Sequence, residues 1–126
     1  MKKSVIIVVD NDDSVRGLIK EYLEVCGFYK SHEIMDYANG RLAWQAIKEH
    51  GWRTDLVVTD YQMPEMNGGE FTRLTKALYP EIKIIIVSGI EEKSLHVLAE
   101  RSGADAFLKK PFKLKQFFKT IHELLS

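Results

Sequence analysis

Cysteine is almost absent from this chain: Cys26 is the only one in 126 residues, so no internal disulfide can form and nothing asks for an oxidising compartment. Surplus charge is absent as well. The 18 Lys and Arg residues are matched by 18 Asp and Glu, whereas a general nucleic-acid binder or an anionic-membrane binder needs a cationic excess. Long apolar runs are also missing. Lys2-Lys3 followed by Val5 to Val9 imitates a secretion signal, but the run is short and ends in Asp10. No stretch approaches the roughly 18 apolar residues of a membrane span. A soluble cytoplasmic protein is expected. Three prolines, and no low-complexity linker, charge block or repeat, leave nothing to divide the chain, so one domain is expected over residues 1–126. At 45% hydrophobic, a chain of this length buries roughly two-thirds of its unfolded surface and needs no staple.

Apolar runs alternate five times with segments of helical period. Strands are predicted at Ser4–Val9, His32–Tyr37, Asp55–Thr59, Ile82–Ser88 and Ala104–Lys109. The first, third and fourth are almost continuously apolar, as strands covered on both faces are; the second and fifth are mixed, as edges are. In the first helix Val15, Leu18, Ile19, Tyr22, Leu23 and Cys26 share one face, with Asp13 or Ser14 as the start and Gly27 as the stop. The others are expected at Asn39–His50 with Gly51 after it, Gly69–Leu78, Glu91–Ser102 with Gly103 after it, and a last helix facing inward through Leu114, Phe117, Phe118, Ile121, Leu124 and Leu125. Repeated βα units with right-handed crossovers predict an α/β, doubly wound five-stranded parallel sheet of order 2-1-3-4-5, a flavodoxin-like (βα)5 arrangement. Its ligand crevice lies at the carboxyl ends of strands 1 and 3.

Chemistry is therefore sought just past the strands. Asp10-Asn11-Asp12-Asp13 follows strand 1 and Asp60 follows strand 3. Helix capping explains Asp13 and competes for Asp12, but Asp10 and Asp60 precede any cap position. Ser88 with Gly89 ends strand 4, and Lys110 with Pro111 follows strand 5. A lysine there is ordinarily a solvated strand end. Beside two acids and a hydroxyl at sister strand ends, it completes a site for Mg²⁺ and a phosphoryl group, the metal on the carboxylates, the ammonium and hydroxyl on phosphoryl oxygens.

Val8-Val9-Asp10, Asp60-Tyr61-Gln62-Met63-Pro64 with Asn67-Gly68, Ile86-Val87-Ser88-Gly89, and Gly103 through Lys110-Pro111-Phe112 together resemble the response-regulator receiver domain of two-component signalling, of the chemotaxis-regulator kind, over essentially the whole chain. The resemblance implies that Asp60 accepts a phosphoryl group from a phosphohistidine of a sensor histidine kinase or histidine phosphotransfer protein. It implies Mg²⁺ on Asp10, Asp60 and the backbone carbonyl of Gln62, a switch through Ser88 and Phe107, pairing of Lys110 with the phosphoryl group, and a cis bond before Pro111; Met63-Pro64 and Asn67-Gly68 are read as shaping their loop, without contact to a ligand. The implied protein is a signalling switch that assists its own phosphorylation and dephosphorylation, not an enzyme in the usual sense. Its downstream partner is expected on the face of helix 4, strand 5 and helix 5, where Lys109, Lys113, Lys115 and Lys119 gather. No direct nucleic-acid or membrane contact is expected, and a dimer on phosphorylation is left open. No output domain follows residue 126 in this sequence, so a stand-alone receiver is expected.

One position departs from the pattern. The second acid of the metal-binding pair falls on Asn11, which keeps a carbonyl oxygen and loses the charge. A unit charge at about 4 Å is worth at most roughly 4 kcal/mol at an effective dielectric near 20, so weaker Mg²⁺ binding is expected. Among lesser positions, Gly89 leaves room for the donor, and Gln62 and Ile90 flank the approach of an attacking water, where aliphatic Ile90 would slow hydrolysis of the acyl phosphate. Phe107 has no hydroxyl, so packing alone would hold it inward. His32, His50, His96 and His122 show no metal-ligand spacing and are expected at the surface; Trp44 and Trp52 are expected to pack, and Cys26 to be a core thiol.

Two other readings compete. Asp10-Asn11-Asp12 resembles the nucleophile and acid–base pair of haloacid dehalogenase-type phosphatases, yet the 15 residues after Pro111 hold one acid, Glu123, where that family needs a further acidic motif. A pseudo-receiver that binds partners without phosphorylation gains support from Asn11 and loses it to Asp60, Ser88 and Lys110. Flavin binding is set aside for want of a hydroxyl- or glycine-rich phosphate loop after strand 1.

Overall fold

The computed structural model describes residues 2–126, apart from the side chains at 92, 95 and 99. Five parallel strands, β1 (Ser4–Val9), β2 (His32–Tyr37), β3 (Thr54–Asp60), β4 (Lys83–Ser88) and β5 (Ala106–Lys109), form one sheet in the order β2-β1-β3-β4-β5. Between and after them lie α1 (Asp13–Val25), α2 (Gly40–His50), α3 (Gly68–Leu78), α4 (Glu92–Ser102) and α5 (Leu114–Leu125). The predicted class and strand order are those observed, with the mixed strands at the edges.

Alternation along each strand divides the core into two layers. Ile6, Val8, Leu56, Val58, Ile85 and Val87 face Ile19 and Leu23 of α1 and Phe117 and Ile121 of α5. Val5, Ile7, Val9, Val57 and Ile84 face Ala43 and Ile47 of α2 and Phe71 of α3. Because β1, β3 and β4 are covered on both sides, almost every residue in them is apolar and buried. No helix among the described residues is long and apolar enough to cross a membrane.

Several expectations shift. The cap of α1 is Asp12, whose carboxylate accepts the N–H of Ser14 at 2.8 Å and of Val15 at 3.4 Å; Asp13 is a first-turn acid, complementing the dipole without capping. β5 starts at Ala106 because Asp105 exchanges bonds with Ile84 ahead of the ladder, donating its N–H to the carbonyl and accepting the Ile84 N–H on its carboxylate. Gly27 and Gly103 stop their helices at φ of 84° and 87°, whereas Gly51 is right-handed and leads into a 3-10 turn. Leu18 and Phe118 are exposed, at the margins of their helix faces, and Trp52 is 64% exposed beside Arg53. Cys26 is half-buried at the end of α1. His32 is not a surface residue: its side chain is 12% exposed and Nε2 lies 2.8 Å from Asp55 Oδ2, joining the starts of β2 and β3.

Candidate functional site

The sheet carries four polar side chains to one edge. Asp10 follows β1, Asp60 and Ser88 end β3 and β4, and Lys110 follows β5. Backbone bonds hold these strand ends in register: Asp10 N–H to the Tyr37 carbonyl at 3.1 Å, Tyr61 N–H to Val87 at 3.1 Å, and Lys110 N–H to Ser88 at 2.8 Å. The strand-end position is also why the side chains are buried: Asp10 and Ser88 are 0% exposed and Asp60 is 6% exposed.

Lys110 Nζ lies 2.8 Å from Asp10 Oδ2 and 3.4 Å from Asp60 Oδ1. The other Asp10 oxygen accepts the N–H of Asp12 at 2.9 Å. Two carboxylates therefore share one ammonium, and the centre retains one negative charge. Burial raises the Asp60 pKa from its ordinary value, the Asp10 charge adds to the rise, and Lys110 with the Gln62 N–H opposes it. An oxygen-rich centre with uncompensated negative charge fits a hard divalent cation. Asn11 is exposed beside it, while Asp12 is committed to capping α1 and is no substitute ligand. Among the described residues no group of three His, Cys, Asp or Glu forms a metal cluster.

The surrounding loops have identifiable causes. A Cβ on Gly68 would lie 2.2 Å from the Asp60 carbonyl oxygen, so the chain can fold back under Asp60 only with glycine there. Asn67 caps α3 by accepting the Glu70 N–H at 2.9 Å, Met63 is buried in the α2–α3 layer, and Met66 N–H reaches the Pro64 carbonyl at 2.8 Å. The Lys110–Pro111 bond is cis, as expected. Ser88 Oγ accepts the Ile90 N–H at 3.2 Å. A Cβ at Gly89 would meet nothing within 4 Å, so the strand end tolerates a side chain there. Phe107 is half-buried, meets His96 edge-on at 4.7 Å between ring centres, and packs with Tyr61, Ile90 and Ala104 around Ile86.

Two contributors escaped the sequence. Tyr61, next to Asp60, joins the cluster containing Phe107. Arg16 of α1 donates from Nη1 to the Asp10 carbonyl at 2.7 Å; the only signal was a cation near a helix start, where the dipole disfavours one.

The sequence profile of the response regulator receiver domain matches residues 6–122. The sensor kinase CckA of Brucella abortus is 38% identical over 95% of this chain, which spans only 12% of that protein. The polar-differentiation response regulator DivK of Brucella anthropi is 32% identical over 99% of this chain and 98% of its own length. Among solved structures, a response regulator receiver domain protein from Clostridium thermocellum superposes with a TM-score of 0.86 at 25% identity, covering 97% of this chain and 94% of the other.

Proposed function

The chain belongs to the response regulator receiver domain family of two-component signalling, and from that premise we propose that Asp60 is its phospho-acceptor, charged by a phosphohistidine of a sensor histidine kinase or histidine phosphotransfer protein. The observation that carries the reading is the convergence of buried Asp10, Asp60 and Ser88 on the ammonium of Lys110 at one sheet edge. A carboxylate oxygen of Asp60 attacks phosphorus; the P–O bond forms as the P–N bond breaks, and its electron pair leaves on the imidazole. Lys110, 3.4 Å from the nucleophile, can follow the transferred charge onto a phosphoryl oxygen while keeping its closer bond to Asp10. Mg²⁺ held by Asp10, Asp60, the Asn11 side-chain oxygen and the Gln62 carbonyl would neutralise charge on the phosphoryl oxygens. Ser88 supplies a hydroxyl from β4, and turning it toward the phosphoryl group would release the Ile90 N–H, which belongs to the segment packed on Phe107. Phosphorylation thereby biases a two-state packing of that cluster against α4.

A face of α4, β5 and α5 is the partner surface in this reading. A cleft of about 710 Å³ there is lined by His96, Val97, Phe107 and Lys109 among others. Lys109, Lys113, Lys115 and Lys119 lie on or beside the same elements with no ion pair among the described residues, which favours an acidic partner.

Intact-mass analysis after incubation with acetyl phosphate, with and without Mg²⁺, tests the reading on wild type and Asp60→Asn. One phosphoryl group gained by wild type alone, and only with Mg²⁺, is expected. No gain at any Mg²⁺ concentration by a folded protein would favour the phosphorylation-independent binding module, the reading that Asn11 supports.

A further inference from the structure

We propose that Arg16 is a positioning residue for the acidic corner of this site, holding residue 11 where a neutral side chain can still serve a cation; this rests on the roles assigned above to Asp10, Asn11 and Asp60. The guanidinium binds three elements together. Nη1 donates to the Asp10 carbonyl at 2.7 Å, Nε to Asp36 Oδ2 of β2 at 3.1 Å, and Nη2 to Asp13 Oδ1 of α1. The Arg16 side chain is only 16% exposed. Asp36 pairs with Val8 across the β1–β2 ladder and is also held by Lys20 Nζ at 3.2 Å, so the clamp has a rigid base.

The carbonyl that Arg16 holds belongs to the peptide joining Asp10 to Asn11. Because a peptide is planar, pinning its oxygen also constrains where the Cα of residue 11 begins. The Asp10 carboxylate and the Asp12 side chain have their own anchors, in Lys110 and the Asp12 N–H for the first and in the α1 cap for the second. Arg16 governs the plane between them. That plane matters more with asparagine at 11 than with an acid. A carboxylate attracts a cation from any direction and over several ångströms, whereas an amide oxygen does so only near contact and along its dipole. Misplacing the loop should therefore cost this chain more than it would cost the same chain with Asp at 11.

The sign of the effect separates positioning from simple electrostatics. Arg16 and Lys20 together balance Asp13 and Asp36. Removing Arg16 alone leaves that cluster negative, which by Coulomb attraction would tighten cation binding; loss of positioning weakens it.

The experiment is calorimetric titration of the unphosphorylated chain with Mg²⁺, for wild type, Arg16→Met, Asn11→Asp and the double variant, with circular dichroism as the check on folding. Arg16→Met should weaken Mg²⁺ on the order of tenfold, a usual loss for a group that orients a metal ligand. In the Asn11→Asp background the loss should fall below about twofold, a coupling that a purely structural role would not produce. Arg16→Lys, which keeps the charge and loses the fork, should fall between and serves if Arg16→Met does not fold. Equal losses in both backgrounds, or tighter binding by Arg16→Met, would overturn the proposal while leaving the site reading intact. Absence of Mg²⁺ binding in wild type and Asn11→Asp alike would overturn the site reading and this proposal with it.

Discussion

Gly68→Ala is the perturbation whose cost the structure defines most directly. Gly68 opens α3, where alanine would ordinarily gain up to about 1 kcal/mol over glycine. A Cβ there lies 2.2 Å from the Asp60 carbonyl oxygen, 2.8 Å from the Tyr61 Cα and 3.0 Å from the Asp60 carbonyl carbon, against an ordinary contact of roughly 3.5 Å. All three atoms are backbone, so no rotamer change relieves the overlap. The chain after β3 would have to move by about 1 Å, yet it is tied to β4 by the Tyr61 N–H at 3.1 Å from the Val87 carbonyl and to Gly68 itself at 2.7 Å. Overpacking costs about 1–3 kcal/mol, and a rigid obstacle belongs at the upper end. After the helix gain, a net loss of about 2 kcal/mol remains, equivalent to roughly 8 °C in Tm for a domain of this length. Scanning calorimetry with a urea titration of unchanged slope reads it. Gly17→Ala is the control: it lies within α1, a Cβ there meets nothing within 4 Å, and the variant should gain about 0.5–1 kcal/mol. A Tm for Gly68→Ala at or above wild type, with Gly17→Ala stabilised as expected, would refute the packing argument. Because the overlap falls on Asp60 itself, acetyl-phosphate labelling should also slow by at least about tenfold.

Asp60→Asn should be more stable than wild type at neutral pH, since a carboxylate whose folded pKa is raised by burial and by Asp10 opposes folding when ionised. The gain should shrink as pH falls through that raised pKa and vanish below the unfolded value, where both states are protonated; denaturation at a series of pH values reads it, and a gain independent of pH would count against the cause given. Lys110→Met leaves the buried Asp10 and Asp60 facing each other. Breaking such a pair costs about 3–5 kcal/mol, and with Lys110 23% exposed the lower figure is expected, part of it recovered on adding Mg²⁺; a variant as stable as wild type would remove Lys110 from the centre. Asn11→Asp should bind Mg²⁺ at least about tenfold more tightly, within the roughly 4 kcal/mol ceiling for a charge at contact range; unchanged affinity in a titration would show that position 11 does not meet the cation.

Most of this protein is legible along the chain because its signals are local. Unbroken apolar runs in β1, β3 and β4 require cover on both faces, and five βα repeats leave few topologies, so sheet order and the edge carrying Asp10, Asp60, Ser88 and Lys110 follow from period and chirality. What the chain conceals depends on which groups compete for a partner in space. Asp12 rather than Asp13 caps α1 because backbone direction after β1 points its carboxylate at the Ser14 N–H. His32 is half-buried because β3 brings Asp55 to it from 23 residues away. Trp52 and Phe118 are as apolar as their neighbours, and only the packed surface shows that helix ends and margins leave them exposed. Residue types and periodicity thus determined the fold and the sheet edge at which Asp10, Asp60, Ser88 and Lys110 meet, but not the parts of Tyr61 and Arg16. The three-dimensional packing alone decided the site's charge balance, the share of Lys110 between two acids and the hold of Arg16 on the Asp10 carbonyl, because such bonds join residues through space and leave no period in the sequence.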